Sequence, residues 1–392
     1  MDIQDVQSHL VKGKIDGWLL YDFQKSNPLA RTFLQLPEET LTTRRFFYWI
    51  PARGEPVKIL HRIEPHVLSH LPGKERFYLA WQELHEQLKT TLQGVKTLAM
   101  EYSPNQAIPT LSKVDGGLID LIRSFSIEVV SSATFLQYYT CVLDEEQLQM
   151  HLEAATFLDR VVSQAWDKIR AALIEEHSID EYQIRMFIAE QMEKNGFTTE
   201  ALPICAVNAH SADPHFEPTA DNAVAIKRGD FILIDLWCKK KHPKAIYGDI
   251  TRVAVAGSAP TLKQQQIFSL VRAAQVAATN YVQTRYAAHQ PLKGYEVDRV
   301  CRSVIEKGGF GPQFLHRTGH NIYTQDHGPG ANIDSLETLD ERELIPHTCF
   351  SIEPGIYLSG EFGVRLEYDI YLGDEGVAKV TGGSQEHLLC LF

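Results

Sequence analysis

A chain of 392 residues with 44% hydrophobic and 22% charged side chains has the composition of a folded globular protein, which excludes the disordered and fibrous classes. Single cores rarely grow past roughly 250–300 residues, so two domains are expected. A net charge of −12 excludes the basic face of a nucleic-acid binder and disfavours anionic membranes, so neither is expected as a partner.

The opening "MDIQDVQSHLVKGKIDGW" has no apolar core behind a positive segment, and no run of about 18 apolar residues follows anywhere. Neither a signal peptide nor a transmembrane helix is expected. Cys141, Cys205, Cys238, Cys301, Cys349 and Cys390 are scattered, without CxxC pairs. They read as thiols of a reducing cytosol, so a cytoplasmic protein is expected.

Up to about residue 140, "GWLLYDF" (17–23), "RFFYWIP" (45–51), "VKTLAMEY" (95–102) and "IEVVSS" (127–132) predict strands, with helices such as "GLIDLIRSF" between them. This is a small α/β domain, assigned to residues 1–142. It holds no cluster of chemically useful residues; Asp22, Lys25 and Arg31 read as solvated surface. A long helix is predicted over 144–175, where apolar residues recur three or four apart and acidic residues fill the first turn. A second helix, in "DEYQIRMFIAEQMEKNG", ends at Gly196. Two more are expected at about 261–287 and 295–307. Around them lie strands at about 203–208, 231–237, 246–256, 348–353 and 362–372, in a second domain over 143–392.

Two hairpins in this second domain share one arithmetic. In "GDFILIDLWCKKKHPKAIYGDITRVAVAG", Asp235 and Asp249 face each other if the chain folds about residue 242, with His242 exposed at the tip. Opposed residues of an antiparallel pair have Cβ atoms roughly 4.5–5.5 Å apart, where like charges are destabilising. In "CFSIEPGIYLSGEFGVRLEYDIYL", Glu353 and Glu367 stand at the same separation, centred on Gly360. A single such pair would serve equally as a partner for Arg252 or Arg365. Two pairs in matching contexts read as a duplicated ββ unit whose carboxylates need a cation, because unpaired buried charge is costly.

Between the hairpins, "FLHRTGHNIYTQDHGPG" (314–330) carries His316, His320 and His327. Alone it fits a metal site, an acid–base relay or three unrelated polar side chains. The pair four apart lacks the glutamate of a zinc-binding helix, and the third histidine is too distant for a compact three-histidine site. Four carboxylates and one imidazole suit two divalent metals about 3.5–4 Å apart, bridged by a hydroxide that hydrolyses an amide or ester. Oxygen-rich ligation favours Mn²⁺ before Zn²⁺, with Co²⁺ as a further choice.

Asp235, "GDITR" with Asp249, "RTGH" with His320, "SIEPG" with Glu353 and "GVRLE" with Glu367 together resemble the pita-bread metallopeptidases, a family that includes Xaa-Pro aminopeptidases, Xaa-Pro dipeptidases (prolidases) and methionine aminopeptidases. The likeness covers roughly 150–392, and the first 140 residues resemble the creatinase-type N-terminal domain of the proline-specific branch. The resemblance implies an α/β (α+β) pita-bread catalytic domain with pseudo-twofold hairpins behind that smaller domain, and a homodimer acting on short proline-containing peptides. It implies that Asp235 chelates one metal, that Asp249 and Glu367 bridge both, and that His320 and Glu353 complete the other site. Glu353 would also be the general base, and His327 would stabilise the tetrahedral intermediate. His215, in "HSADPHFEP", would contact substrate, and Arg365 would hold Glu367 or substrate. His210 and His316 read as polar neighbours.

The chain departs from the family at Trp237, where a small residue is usual, at Asn321 after the ligand histidine, and at Gly328, where an acidic residue is common. The first hairpin tip is also a few residues longer. Two alternatives stand beside the peptidase reading: a metal-free creatinase-like amidinohydrolase and a catalytically inactive peptide-binding scaffold. Retention of all five ligands disfavours both.

Overall fold

The computed structural model describes residues 2–392, and the chain divides into two units, one ending at Thr140 and the other spanning Cys141–Phe392. In the first, the four expected strands form as Gly17–Asp22, Phe46–Pro51, Thr97–Met100 and Glu128–Ser131. Val57–His61 and Lys74–Tyr78 extend them to a six-stranded mixed sheet. The last of these reads KERFY and is exposed at its first two positions, so no apolar run marks it. Helices Trp81–Thr91 and Gly116–Ser124 bury Leu84, Leu88, Leu118 and Ile122 in one core, while Ile3–Lys12 and Pro28–Phe33 bury Val6, Leu10, Ala30 and Phe33 in another.

Asp22 and Arg31 are not solvated surface. They are 0% and 5% exposed and form an ion pair at 3.3 Å, while Asp22 also accepts from the Asn27 amide at 2.9 Å and the Thr42 hydroxyl at 3.3 Å. A charge pair tolerates burial when its remaining lone pairs are satisfied in this way. Lys25 is exposed, as expected.

In the second unit the long helix spans Glu145–Ile174, started by an Asp144–Gln147 capping box. The next helix, Glu181–Lys194, has the same device at Asp180, and Gly196 follows it with φ +78°. Helices Leu262–Ala287 and Gly294–Lys307 complete the set. Two strands dominate the centre, Phe231–Lys240 and Gly248–Val255. Their period of two splits the side chains between layers. Ile232, Ile234, Leu236, Ile250 and Ala254 pack with Ala154, Phe157, Leu158 and Val161 of the long helix. Leu233 and Val253 point the other way, into the core shared with Val271, Ala274 and Val297. Asp235, Asp249 and Thr251 fall on that second face by parity, where the apolar core gives way to a cleft.

The first hairpin is shifted from the expected register. Asp235 pairs with Thr251 and Asp249 with Trp237, so the aspartates are diagonal neighbours on one face rather than directly opposed. The second hairpin obeys its arithmetic. Gly355–Leu358 pairs with Phe362–Arg365 about Gly360, and Cys349–Ile352 pairs with Tyr368–Leu372 in the same register. Glu353 and Glu367 fall opposite each other at the break between these two ladders, and the strand expected at 362–372 is therefore two strands. Among the described residues, no helix is long and apolar enough to cross a membrane.

Candidate metal centre and active site

Three backbone devices place the histidine stretch. Buried Asp298 accepts from the Thr318 amide at 3.0 Å and hydroxyl at 2.6 Å, and from the Ser335 amide at 3.0 Å, pinning the loop on either side of His320. Gly319 lies so close to the next strand that a Cβ would sit 2.0 Å from the Ser351 carbonyl oxygen, so only glycine fits beside the histidine. The His320 amide then donates to Ser351 Oγ at 3.0 Å.

His320 is 3% exposed, and its Nδ1 faces the Asn321 carbonyl at 3.3 Å. Donation there leaves the Nε2 lone pair directed at carboxylates, 3.5 Å from Glu353 and 3.7 Å from Asp249. Burial, then the nearby His327 and Arg317, holds the imidazole well below its usual range, so it is neutral, the form that ligates a metal. Ligand atoms of Asp249, His320 and Glu367 all lie within 4.8 Å of one another, each residue buried. Asp249 is 4% exposed, and its Oδ1 has no hydrogen-bond partner. Burial and the Glu367 charge push its carboxyl well above the normal range. Burial and the Glu353 charge do the same to Glu367, and burial raises Glu353 to about 7. An orphaned carboxylate oxygen among neutral imidazole and repelling carboxylates fits a cation, so the residues present suit a metal centre.

Asp235 stands somewhat apart. Its Oδ2 takes an Arg365 Nη2 donor at 2.5 Å and its Oδ1 the Thr251 hydroxyl at 2.8 Å. Arg365 therefore holds Asp235 rather than Glu367, with Nε on Thr251 at 3.1 Å and Nη1 on Tyr357 Oη at 2.9 Å. Thr251 Oγ1 also lies 2.6 Å from Glu367, which makes this hydroxyl the junction between the two hairpins. Arg252 does not bond the carboxylate side chains of the cleft; it caps the Glu367 carbonyl at 2.6 Å and pairs with Asp159 at 3.6 Å.

A cleft of about 710 Å³ is lined by Asp235, Asp249, His320, Glu353, Glu367 and Arg365 together with His215, His316 and His327. His327 stands at the rim, with its side chain 65% exposed and its ring 4.1 Å from that of His320; desolvation of the ring by the cleft walls, then the charges of Arg317 and His215, lower it to about 4. His215 is exposed on the wall. His316 is more than a bystander, since its Nε2 meets Tyr357 Oη at 2.7 Å and continues the Arg365–Asp235 chain. His210 is not a site residue. It hydrogen-bonds buried Glu181 at 2.9 Å and stacks on Phe216. His242 is exposed at the hairpin tip.

Sequence reasoning missed Thr251, Tyr357, Asp326 and Asp369. Thr251 stood in plain view inside "GDITR". Asp369 accepts the Asp249 amide at 2.9 Å from behind, two residues past Glu367. Asp326, one residue before His327, lines the cleft, and burial, then the charges of Asp235 and Glu353, raises it to about 8. A further buried trio, His151, Cys349 and Asp369, lies within 4.8 Å, with His151 satisfied by the Tyr247 carbonyl at 2.6 Å and the Thr381 hydroxyl at 2.8 Å.

Two of the sequence departures explain each other. Asn321 is buried, donates to the Cys349 carbonyl at 2.9 Å and accepts the Gly330 amide at 2.9 Å. A Cβ on residue 328 would sit 2.3 Å from Asn321 Oδ1. The asparagine fills the space that Gly328 leaves, and a larger residue at 328 requires a different neighbour at 321. Trp237 lies across the strand pair from Asp249 and lines the cleft.

The profile of metallopeptidase family M24 matches residues 149–374, more than half of the chain. The chain belongs to metallopeptidase family M24. It is 26% identical over 315 residues to a Xaa-Pro dipeptidase of Pyrococcus furiosus, covering 79% of each protein. Its fold is that of a dipeptidase PepE from Mycobacterium ulcerans, with a TM-score of 0.66 at 22% identity over 99% of this chain and 96% of that one. It is also that of an X-prolyl aminopeptidase from Caenorhabditis elegans described as a cytosolic enzyme with a di-nuclear active site, with a TM-score of 0.60 at 15% identity over 94% of this chain and 58% of the other. The architecture is the pita-bread fold, and the protein is a peptidase.

Proposed function

We propose that this M24 peptidase is a two-metal exopeptidase that hydrolyses the bond between an N-terminal residue and proline in dipeptides or short peptides. The observation that carries the metal reading is buried Asp249, whose Oδ1 has no hydrogen-bond partner and whose carboxylate offers a ligand atom within 4.8 Å of those of His320 and Glu367. An amidinohydrolase that dispenses with metal would leave that oxygen and its neighbouring carboxylates uncompensated. The metal ligands proposed are Asp235, Asp249, His320, Glu353 and Glu367. Bound divalent ions, Mn²⁺ first on the oxygen-rich donor set, would supply a water acidic enough to attack an amide at neutral pH.

The chain's own groups account for the rest. Glu353, raised to about 7 and 3.3 Å from Ser351 Oγ, is poised to accept a proton and return it to the leaving nitrogen. His327 at the rim would donate to the developing oxyanion, and His215 on the wall would contact the peptide. Arg365 positions Asp235, while the acidic floor would attract the free ammonium of the substrate. Proline specificity follows the names of the curated relatives. The creatinase-type assignment of the first unit, the homodimer and a cytoplasmic setting rest on resemblance and composition.

The test is a panel of dipeptides and tripeptides with proline or alanine second, each free or N-acetylated, in added Mn²⁺. Proline peptides should be cleaved at least roughly tenfold better in kcat/KM, about 1.4 kcal/mol, and acetylated ones should fail. Equal cleavage of acetylated and free peptides would overturn the exopeptidase reading.

A further inference from the structure

We propose that Asp326 is an additional metal ligand in this cleft, a carboxylate beyond the five-residue set. The proposal rests on the metal-dependent reading above. Ligand atoms of His320, Asp326 and His327 lie within 4.8 Å of one another, as do those of Asp249, His320 and Glu367. His320 belongs to both sets, so Asp326 approaches the same imidazole as the buried carboxylates. With His327 largely exposed at the rim, Asp326 is the inner anionic member of its set.

The orphaned oxygens point the same way. Asp326 is one-fifth exposed as a side chain, yet its Oδ1 is fully shielded and has no hydrogen-bond partner. Asp249, 4% exposed, presents a second shielded and unpartnered Oδ1 in the same cleft. Two buried acceptors without donors are a costly arrangement unless a cation sits with them. Charge supports this. Asp235, Asp249, Asp326, Glu353 and Glu367 are the cleft-lining carboxylates that are not exposed, and Arg317 and Arg365 are the cleft-lining arginines that are not exposed. Five carboxylates against two guanidinium groups leave an excess of negative charge that divalent cations would offset. A sixth protein donor, and a fifth carboxylate, also favours an octahedral oxygen-loving ion such as Mn²⁺ over tetrahedral Zn²⁺.

The experiment is titration of the metal-stripped full chain with Mn²⁺ by calorimetry and elemental analysis, comparing the unaltered protein with Asp326→Ala and Asp326→Ser. The unaltered protein should bind two equivalents. In the variants the dissociation constant of at least one equivalent should rise tenfold or more, and the Co²⁺-loaded visible spectrum should change because a ligand is lost. Melting of the metal-free variants checks that they fold; should one fail, the other and the Co²⁺ spectrum decide. Unchanged Mn²⁺ affinity and an unchanged Co²⁺ spectrum overturn the proposal and leave the metallopeptidase reading standing. Unchanged affinity with a raised KM for free-amine peptides overturns it too and assigns Asp326 to the substrate ammonium. If the unaltered protein binds no metal, the two-metal reading itself fails.

Discussion

Replacing Thr251 with valine keeps the shape of a fully buried side chain and removes a single hydroxyl. That hydroxyl can donate to only one carboxylate at a time, Asp235 at 2.8 Å or Glu367 at 2.6 Å, and it accepts from Arg365 Nε at 3.1 Å. A hydrogen bond to a charged group contributes about 1.5–3 kcal/mol, and stranding a buried guanidinium donor costs about 1–3 kcal/mol more. Partial recovery by the remaining Arg365 bonds to Asp235 and Tyr357 keeps the expected loss near 3 kcal/mol, or roughly 6–12 °C in Tm for a unit of this size. Differential scanning calorimetry of the metal-loaded protein measures it, with circular dichroism to confirm the fold. Thr251→Ser, which keeps the hydroxyl, should recover most of the loss. A valine variant melting within about 2 °C of the parent would show that the hydroxyl does not tie the two hairpins together.

Asp249→Ala or Glu367→Ala should leave a folded protein with at most one tightly bound metal equivalent and no hydrolysis; two full equivalents by elemental analysis would remove their bridging role. His320→Ala should lower metal occupancy, whereas His327→Ala should keep the metal and lower kcat by roughly 10²–10³, and the opposite pattern would exchange their roles. In metal-free protein, the neutral forms of Glu353 (about 7) and Asp326 (about 8) stabilise the fold, and that contribution is lost as pH rises through those values. Two histidines act in the other direction, since half-buried His316 (about 3) and His327 at the rim (about 4) withhold protons that the unfolded chain takes up below its ordinary imidazole value. Thermal stability without metal should therefore fall from pH 6.5 to about pH 8, where the histidines no longer offset the carboxyls, and saturating Mn²⁺ should flatten that fall; a metal-free Tm that rises from pH 6.5 to 8.5 contradicts the carboxylate assignment.

Local chemistry makes much of this protein legible in its sequence. The helix at Glu145–Ile174 is readable because its acidic first turn and its apolar period agree over thirty residues. The carboxylates were readable because charge inside an apolar strand is expensive enough to demand a partner, and the equal spacing of both pairs exposed the duplication. What the sequence could not carry was register and depth. The lysine-rich tip closes about residue 243 rather than 242, which moves Asp249 from opposite Asp235 to opposite Trp237, and no local preference distinguishes the two closures. Asp22 and Arg31 looked like surface because burial of an ion pair depends on residues such as Asn27 and Thr42 arriving around it. Asp326 was invisible as a site residue for the same reason: an aspartate in a glycine-rich loop is ordinarily solvated. Only the fold of that loop over Asp298, with His320 locked against Ser351, turns its Oδ1 inward, away from water and any donor. Sequence sets which side chains can do chemistry, whereas their ionisation and their partners are decided by how much water and which charges the tertiary structure leaves around them.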